Sequence, residues 1–522
     1  MQSAEFVLAL LIAVAALVTI ARRLRVAYPI FLVIGGLAVG LVPGVPRIEV
    51  EPDVIFLLVL PPIVYVAAFF TPLRSLRANL GVIASLAVGL VVVTAAAVAL
   101  VAHALIPGLS WTVAILLGAI VAPPDEVAAT QIAARLAVPR QIVTILEGES
   151  LLNDATALTI YGAALGAVSV GAFSPLGAVG MFLWSAVAGA VIGLVVGAIV
   201  AEIRARLSDT PVEITISLLT PYAAFLPAQS LGVSGVIATV VAGLYLGRRS
   251  SRIMGADTRL AGQAVWQMIT FLLNGFVFIL TGLEVPLFLS QLQPAQVIQL
   301  VGIGVAVTAI AVAVRAAWIF GGTYLPRLLR RHRTGRASAA HSLVKSWAGM
   351  RGVVSLAAAL ALPVALPDGV AFPAREAIIV ITLTVIVLTL VGQGLTLPLL
   401  IRRLRLGTDE RIRQEETTAR RALVDAATRR IDELYPVWPG HRPLLDQLRD
   451  AYAHRSEHVD RQRDGAGTEA DREMIEHREI RRTVIGSERE ALLRLRADGA
   501  IDDDVLRTLE RELDLEEQRM DA

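Results

Sequence analysis

The chain has 522 residues, 55% of them apolar and 18% charged, a balance foreign to a water-soluble protein of this length. Residues 1–408 hold 16 acids and 26 bases, whereas residues 409–522 hold 29 acids and 21 bases. An apolar, basic body is thus followed by a polar, acidic tail, which argues against a soluble enzyme and leaves no nucleic-acid footprint. Cysteine is absent, which removes disulfides, thiolate nucleophiles and thiolate metal sites.

A bilayer core of about 30 Å takes about 20 apolar residues per helix. Residues 1–408 break into thirteen runs of that order, centred near Ala13, Ile34, Val59, Val91, Ile120, Ala157, Ile192, Leu219, Val240, Leu273, Ala309, Val354 and Ile386. The first run has no basic residue ahead of it and reads as a retained span rather than a secretory signal. The odd-numbered loops collect Arg22, Arg23 and Arg25; Arg74 and Arg77; Arg135 and Arg140; Arg204 and Arg206; Arg248, Arg249, Arg252 and Arg259; and five arginines from Arg327 to Arg336. The even-numbered loops hold only Arg47 and Arg375. Because Lys and Arg gather in cytoplasmic loops, this alternation predicts an all-α polytopic membrane protein of about 13 transmembrane helices, N-terminus outside and tail cytoplasmic. The tail, residues 409–522, shows mixed-sign helical stretches at Glu415 to Leu434 and Val505 to Arg519, broken at Pro436, Pro439, Gly440 and Gly465 to Gly467. It reads as a helical cytosolic domain or a partly disordered regulatory tail.

Ionisable groups in a span cost a few kcal/mol each and survive when paired, hydrated or used. Span five carries Pro123-Pro124-Asp125-Glu126 in its middle. Two prolines remove amide donors and clash with the preceding turn, so the helix should unwind there and leave carbonyls without partners. Such backbone is tolerated at membrane depth only around a cavity or inside protein. Free carbonyls beside a carboxylate make a cation site of the broken-helix kind. The rival reading is a simple kink.

Span six carries Glu147, Glu149, Ser150, Asn153 and Asp154. At 100° per residue, Glu147, Ser150 and Asp154 share one face and Glu149 and Asn153 a second. Ser150 and Asp154, one turn apart, can hold a small cation together, while Asn153 can hydrogen-bond the loosened backbone of span five. The alternative is that these groups bind one another as glue between helices. Arg315 lies in span eleven, and Arg351 lies in span twelve between Gly349 and Gly352, another stretch where a helix can break. A guanidinium keeps its charge when buried, so Arg351 is expected to neutralise Glu147 or Glu149 and Arg315 to do similar structural work. Asp154 and Asp125 are then the carboxylates left to titrate.

Four stretches resemble the monovalent cation:proton antiporter-1 family, the NhaP-type bacterial and NHE-type eukaryotic sodium/proton exchangers. They are Gly118 to Thr130, Ile145 to Ala157 with its Glu-Ser-Leu-Leu-Asn-Asp-Ala-Thr, Asn274 to Glu284, and Gly349 to Ala357. The resemblance implies an antiporter fold with inverted repeats and crossed, broken helices. It also implies a homodimer in the bacterial cytoplasmic membrane, a scaffold with a moving core, and alternating access. By position, Asp154 is the acid alternately occupied by proton or cation and Asn153 its partner; Asp125 sits in the unwound segment; Glu149 and Ser150 line the site; and Arg351 is the core arginine paired to an acid. An Asn where electrogenic relatives carry a second Asp implies electroneutral exchange. No cofactor is implied beyond the transported ions, H⁺ with Na⁺ or else K⁺ or Li⁺, and no partner beyond lipid, a second copy and an unidentified ligand of the tail. The family commonly has Thr-Asp-Pro in the broken helix. Here Pro124 stands at the threonine and Glu126 at the proline, which leaves the choice among Na⁺, K⁺ and Li⁺ open. A rival of another class, an intramembrane aspartyl protease using Asp125 and Asp154, needs two acids sharing a water, and no Gly-x-Gly-Asp pattern is present.

Overall fold

The computed structural model of the chain describes residues 2–24, 26–42, 52–136, 138–170, 175–290, 292–329, 336–366, 370–404, 410–463, 467–498 and 503–521. They form two compact units, Met1–Thr408 and Asp409–Ala522. The first unit contains α1 Gln2–Arg23, α2 Tyr28–Gly40, α3 Pro52–Phe70, α4 Leu73–Ala78, α5 Leu80–Ala84, α6 Val91–Leu105, α7 Trp111–Val121, α8 Val127–Arg135 and α9 Arg140–Val170. It continues with α10 Pro175–Ala205, α11 Thr210–Ser230, α12 Gly235–Ile253, α13 Ala256–Leu289, α14 Pro294–Leu329, α15 Arg336–Trp347, α16 Val353–Leu360, α17 Arg375–Val387 and α18 Gly394–Leu404. Single π-helical turns, Ser85–Leu90 and Leu388–Gln393, join α5 to α6 and α17 to α18. Among the described residues there is no strand, only an isolated bridge between Ala365 and Ala371.

Each of the thirteen centres read from the sequence falls within a helix. Among the described residues, six stretches are long and apolar enough to cross a membrane by length and composition: Leu80–Leu105, Arg140–Val168, Val179–Ala205, Ala256–Pro286, Pro294–Tyr324 and Arg375–Leu404. Tyr28–Gly40, Leu57–Phe70 and Trp111–Val121 are shorter apolar helices. Lipid supplies no hydrophobic drive between such helices, so their backbones approach through small residues. At Gly36 on α2 an added Cβ would meet the Ile279 carbonyl, and at Gly282 on α13 it would meet that of Val33. This close crossing holds α13, and with it Asn274, against the first helices.

The arginines of the odd loops stand mostly at helix ends, and one leaves the pattern. Arg204, expected in a loop, lies in the last turn of α10 with 1% of its surface exposed, facing the buried Glu213 of α11 at 3.8 Å. Loop counting cannot see this, because the acid that draws the arginine inward is nine residues away on the next helix. Arg25, Arg47, Arg330, Arg331 and Arg333 lie outside the described residues, as do Gly465 and Ala466.

The second unit is helical throughout its described length: α19 Glu410–Leu434, α20 Arg442–Arg463, α21 Gly467–Ala497 and α22 Asp503–Asp521. The break between α19 and α20 falls at Pro436 to Gly440, and the Tyr435 hydroxyl donates across it to Asp446 at 2.5 Å. Among its described residues the buried apolar side chains are Val424, Ile431, Leu445, Ile485 and Leu506. Ion pairs join α21 to α22, Arg489 reaching both Asp514 and Glu517. Such exposed pairs contribute about 0–1 kcal/mol each.

Candidate functional site

The double proline ends α7. The last regular bond of that helix is Ala122 N–H to the Gly118 carbonyl at 2.9 Å, and the chain resumes as α8 only at Val127. Pro123 and Pro124 bring no amide hydrogens, and Asp125 turns its amide to the Met350 carbonyl at 2.7 Å. Met350 belongs to the second break, between α15 and α16, where the chain is non-helical from Ala348 to Gly352. The two interrupted helices therefore meet at their breaks, each supplying backbone groups to the other.

Four side chains satisfy what the breaks expose. Asp125 accepts the Val127 amide on Oδ1 at 2.8 Å and the Val353 amide on Oδ2 at 3.2 Å. One carboxylate thus caps the first turns of both α8 and α16, where orphan N–H groups and the helix dipoles favour negative charge. Asn153 donates Nδ2 to the Pro124 carbonyl at 2.8 Å, the link to the loosened backbone expected from the sequence. Arg351 donates Nε to the Val121 carbonyl at 2.7 Å and Nη1 to the Gly349 carbonyl at 2.6 Å, while Thr389 Oγ1 accepts the Arg351 amide at 3.0 Å. The guanidinium thus ties the C-terminal end of α7 to the second break.

Arg351 is not hydrogen-bonded to Glu147 or Glu149, contrary to the sequence reading. Arg315 of α14 takes that part, donating Nη1 and Nη2 to the two carboxylate oxygens of Glu149 at 2.5 and 2.8 Å, and Nε to the Lys345 carbonyl at 3.0 Å. Both side chains are almost fully buried. Helical phase placed Glu149 correctly on the face of α9 away from Asp154, but sequence spacing could not say which arginine crosses that face. Glu149 therefore does not line the site as expected. Glu147 is half-buried and within electrostatic reach of Arg140.

Beside the crossing lies a cavity of ≈ 50 Å³ lined by Pro123, Pro124, Asp125, Glu126, Ser150, Asp154, Asn274 and Ser355, with Leu60, Ile63, Val64 and Ala67 of α3 as an apolar wall. No Lys or Arg lines it. Asp154 is 8% exposed, and among the described residues no hydrogen-bond donor occupies its carboxylate. Buried charges are normally paired, so an unpaired acid in a cavity without a cationic side chain implies that a proton or a cation completes it. Asp125 differs because both its oxygens are spent on amides, whereas a protease pair needs two carboxyl groups free to share a water. Sequence reasoning passed over Asn274 and Ser355 as site residues. The signal was there, since each is a polar residue within an otherwise apolar run.

Gly352 makes the crossing possible. A Cβ at this position would run into the Asp125 carboxylate, so Gly352→Ala is expected to cost about 1–3 kcal/mol by overpacking. Thermal unfolding in detergent checks this against Gly321→Ala, where an added Cβ meets open space; equal transitions for the two variants would remove Gly352 from this role.

The family model "Sodium/hydrogen exchanger, transmembrane" matches residues 9–403. The uncharacterized Na(+)/H(+) exchanger Rv2287 of Mycobacterium tuberculosis is 36% identical over 98% of this chain and 95% of its own length. The sodium, potassium, lithium and rubidium/H(+) antiporter of Bacillus pumilus is 30% identical over 70% of this chain and 56% of its own. Among solved structures, the sodium proton antiporter MjNhaP1 of Methanocaldococcus jannaschii superposes with a TM-score of 0.61 over 78% of this chain and all of that one, at 19% identity, a likeness of fold. With the family model spanning most of the helical unit and relatives of over 30% identity along nearly the whole chain, the protein belongs to the sodium/hydrogen exchanger family of multi-pass membrane antiporters.

Proposed function

We propose that this protein exchanges Na⁺ for H⁺ one for one across a bacterial cytoplasmic membrane, the two ions competing for Asp154. The observation that carries the reading is the unpaired, buried Asp154 carboxylate in a cavity that no cationic side chain lines. A single acid that holds either ion, and crosses only when neutralised, couples the two fluxes without further machinery. Asn153, whose amide is engaged with Pro124, adds no second charge beside it, which supports electroneutral exchange. Ser150, one turn before Asp154, is the nearest neutral ligand on the same helix, and Asp125 holds the crossed backbone beneath the ion. The arginine-rich helix ends support an outside N-terminus and a cytoplasmic tail, and the family resemblance supports a homodimer in lipid working by alternating access.

A second reading, broader in cation, is favoured by Glu126, an acid where the family commonly has proline, and by the relative named for sodium, potassium, lithium and rubidium. Purified protein in proteoliposomes, with a pH dye inside and Na⁺, K⁺, Li⁺ or Rb⁺ applied outside, decides between them. The expected result is proton efflux driven by Na⁺ that a potential-sensitive dye does not register and that valinomycin with K⁺ does not accelerate. A valinomycin-sensitive rate would overturn one-for-one exchange, and equal rates with K⁺ and Na⁺ would establish the broader reading.

A further inference from the structure

The carried ion needs more oxygens than α9 supplies. The cavity is small and walled by both apolar and polar side chains. An alkali cation held in it exchanges part of its hydration shell for protein oxygens, as ions do in selectivity filters. Asp154 and Ser150 give part of that shell. Asp125 already accepts two amides, Glu149 is held by Arg315, and Asn153 is absent from the cavity wall.

Besides Glu126, whose Oε2 is buried without a hydrogen-bond partner just before α8, two neutral polar groups on other helices stand unused in the same wall. Asn274 of α13 and Ser355 of α16 are each 2% exposed, and the Asn274 Oδ1 and Ser355 Oγ atoms are buried without a hydrogen-bond partner. The Tyr28 phenol of α2 lies alongside Asn274 without occupying Oδ1. Buried polar atoms are rarely left unmet, and each one in a native fold points to strain, function or an unseen partner. Both atoms are hard, neutral oxygens of the kind that coordinate alkali cations, and their residues line the cavity from helices other than the one bearing Asp154 and Ser150.

We infer that Asn274 and Ser355 are further ligands of the carried cation, completing the shell begun by Asp154 and Ser150. The inference rests on the Asp154 reading and extends it. Neutral ligands add affinity without changing how many protons are displaced, so they act on cation binding and leave stoichiometry alone. Ser355 makes no side-chain hydrogen bond to lose, so replacing it costs the fold little, whereas Asn274 is also hydrogen-bonded to the Tyr28 phenol.

The test uses the full chain with Asn274→Ala, Ser355→Ala and Ser355→Thr, assayed for Na⁺-driven proton flux in proteoliposomes and for Na⁺ binding by calorimetry in detergent. Each alanine variant is expected to raise the apparent KM and the binding Kd for Na⁺ by about tenfold, with kcat held within about twofold and Tm unchanged in Ser355→Ala, while Ser355→Thr restores binding. Unchanged KM and Kd in both alanine variants would overturn the inference, as would a fall in kcat at constant KM in either or a lowered Tm in Ser355→Ala, each of which marks a structural role. Asp154→Asn, run alongside, separates the two levels. If it still binds Na⁺, the Asp154 reading fails; if it loses binding while both alanine variants bind like the parent, only the added ligands fail.

Discussion

Asp154→Asn is expected to reduce cation-driven proton flux by at least about 100-fold, a loss of about 2.7 kcal/mol or more in coupling, while leaving the protein as stable as the parent or slightly more so. Both halves follow from the same geometry. The Asp154 carboxylate receives no donor from the described residues and sits in a cavity lined by Asp125 and Glu126 with no Lys or Arg. Replacing a buried, unpaired acid by an amide of the same shape removes a desolvation cost and breaks no hydrogen bond. It also removes the only group proposed to hold proton and cation in turn. Asp125→Asn is the contrast. An amide has one acceptor atom where Asp125 uses two, so either the Val127 or the Val353 N–H loses its partner, at about 1–3 kcal/mol. Flux in everted vesicles and thermal unfolding of the same preparations check the pair. Retained Na⁺-dependent flux in Asp154→Asn, at normal expression, would end the assignment; a Tm drop larger than that of Asp125→Asn would show that Asp154 is a structural residue.

Much of this was legible in the sequence because the physics involved is local. Apolar run length placed a helix at every predicted centre, and the double proline at 123–124 announced the break between α7 and α8 at the right residues. Helical phase on α9 separated the Ser150 and Asp154 face from that of Glu149 and Asn153, and these two faces have different jobs. What sequence spacing does not carry is contact between helices far apart in the chain. Glu149 and Arg315 are 166 residues apart, and no periodicity distinguishes Arg315 from Arg351 as the partner. The same limit hid the burial of Arg204 against Glu213 and the convergence of Asn274 and Ser355 on the cavity. Asp125 shows a subtler case. A carboxylate after two prolines reads as a free ligand, yet the crossing of the second broken helix gives both its oxygens to amides. Gly352, read from the sequence only as a point where a helix can break, is what lets that crossing close.

The assignment of the two buried arginines yields an expected outcome that separates them. Arg315→Gln and Glu149→Gln should each destabilise the protein by about 3–5 kcal/mol, since removing one partner of a buried ion pair strands the other charge. The double variant Arg315→Gln/Glu149→Gln should recover most of that loss, because no buried charge is then left unmet. Arg351→Gln should also destabilise, by releasing the Val121 and Gly349 carbonyls, yet Glu149→Gln should not rescue it. In the first cycle the coupling energy is large and of rescuing sign; in the second it is close to zero or adds to the damage, since Glu149 loses its match to Arg315 while Arg351's carbonyl partners stay unmet. Thermal unfolding of the five variants in one detergent measures both cycles. Rescue of Arg351→Gln by Glu149→Gln would restore the pairing that family position suggests and displace Arg315 from it. Rescue confined to Arg315 identifies Arg351 as a clamp on carbonyls, which holds the two broken helices together beside Asp154.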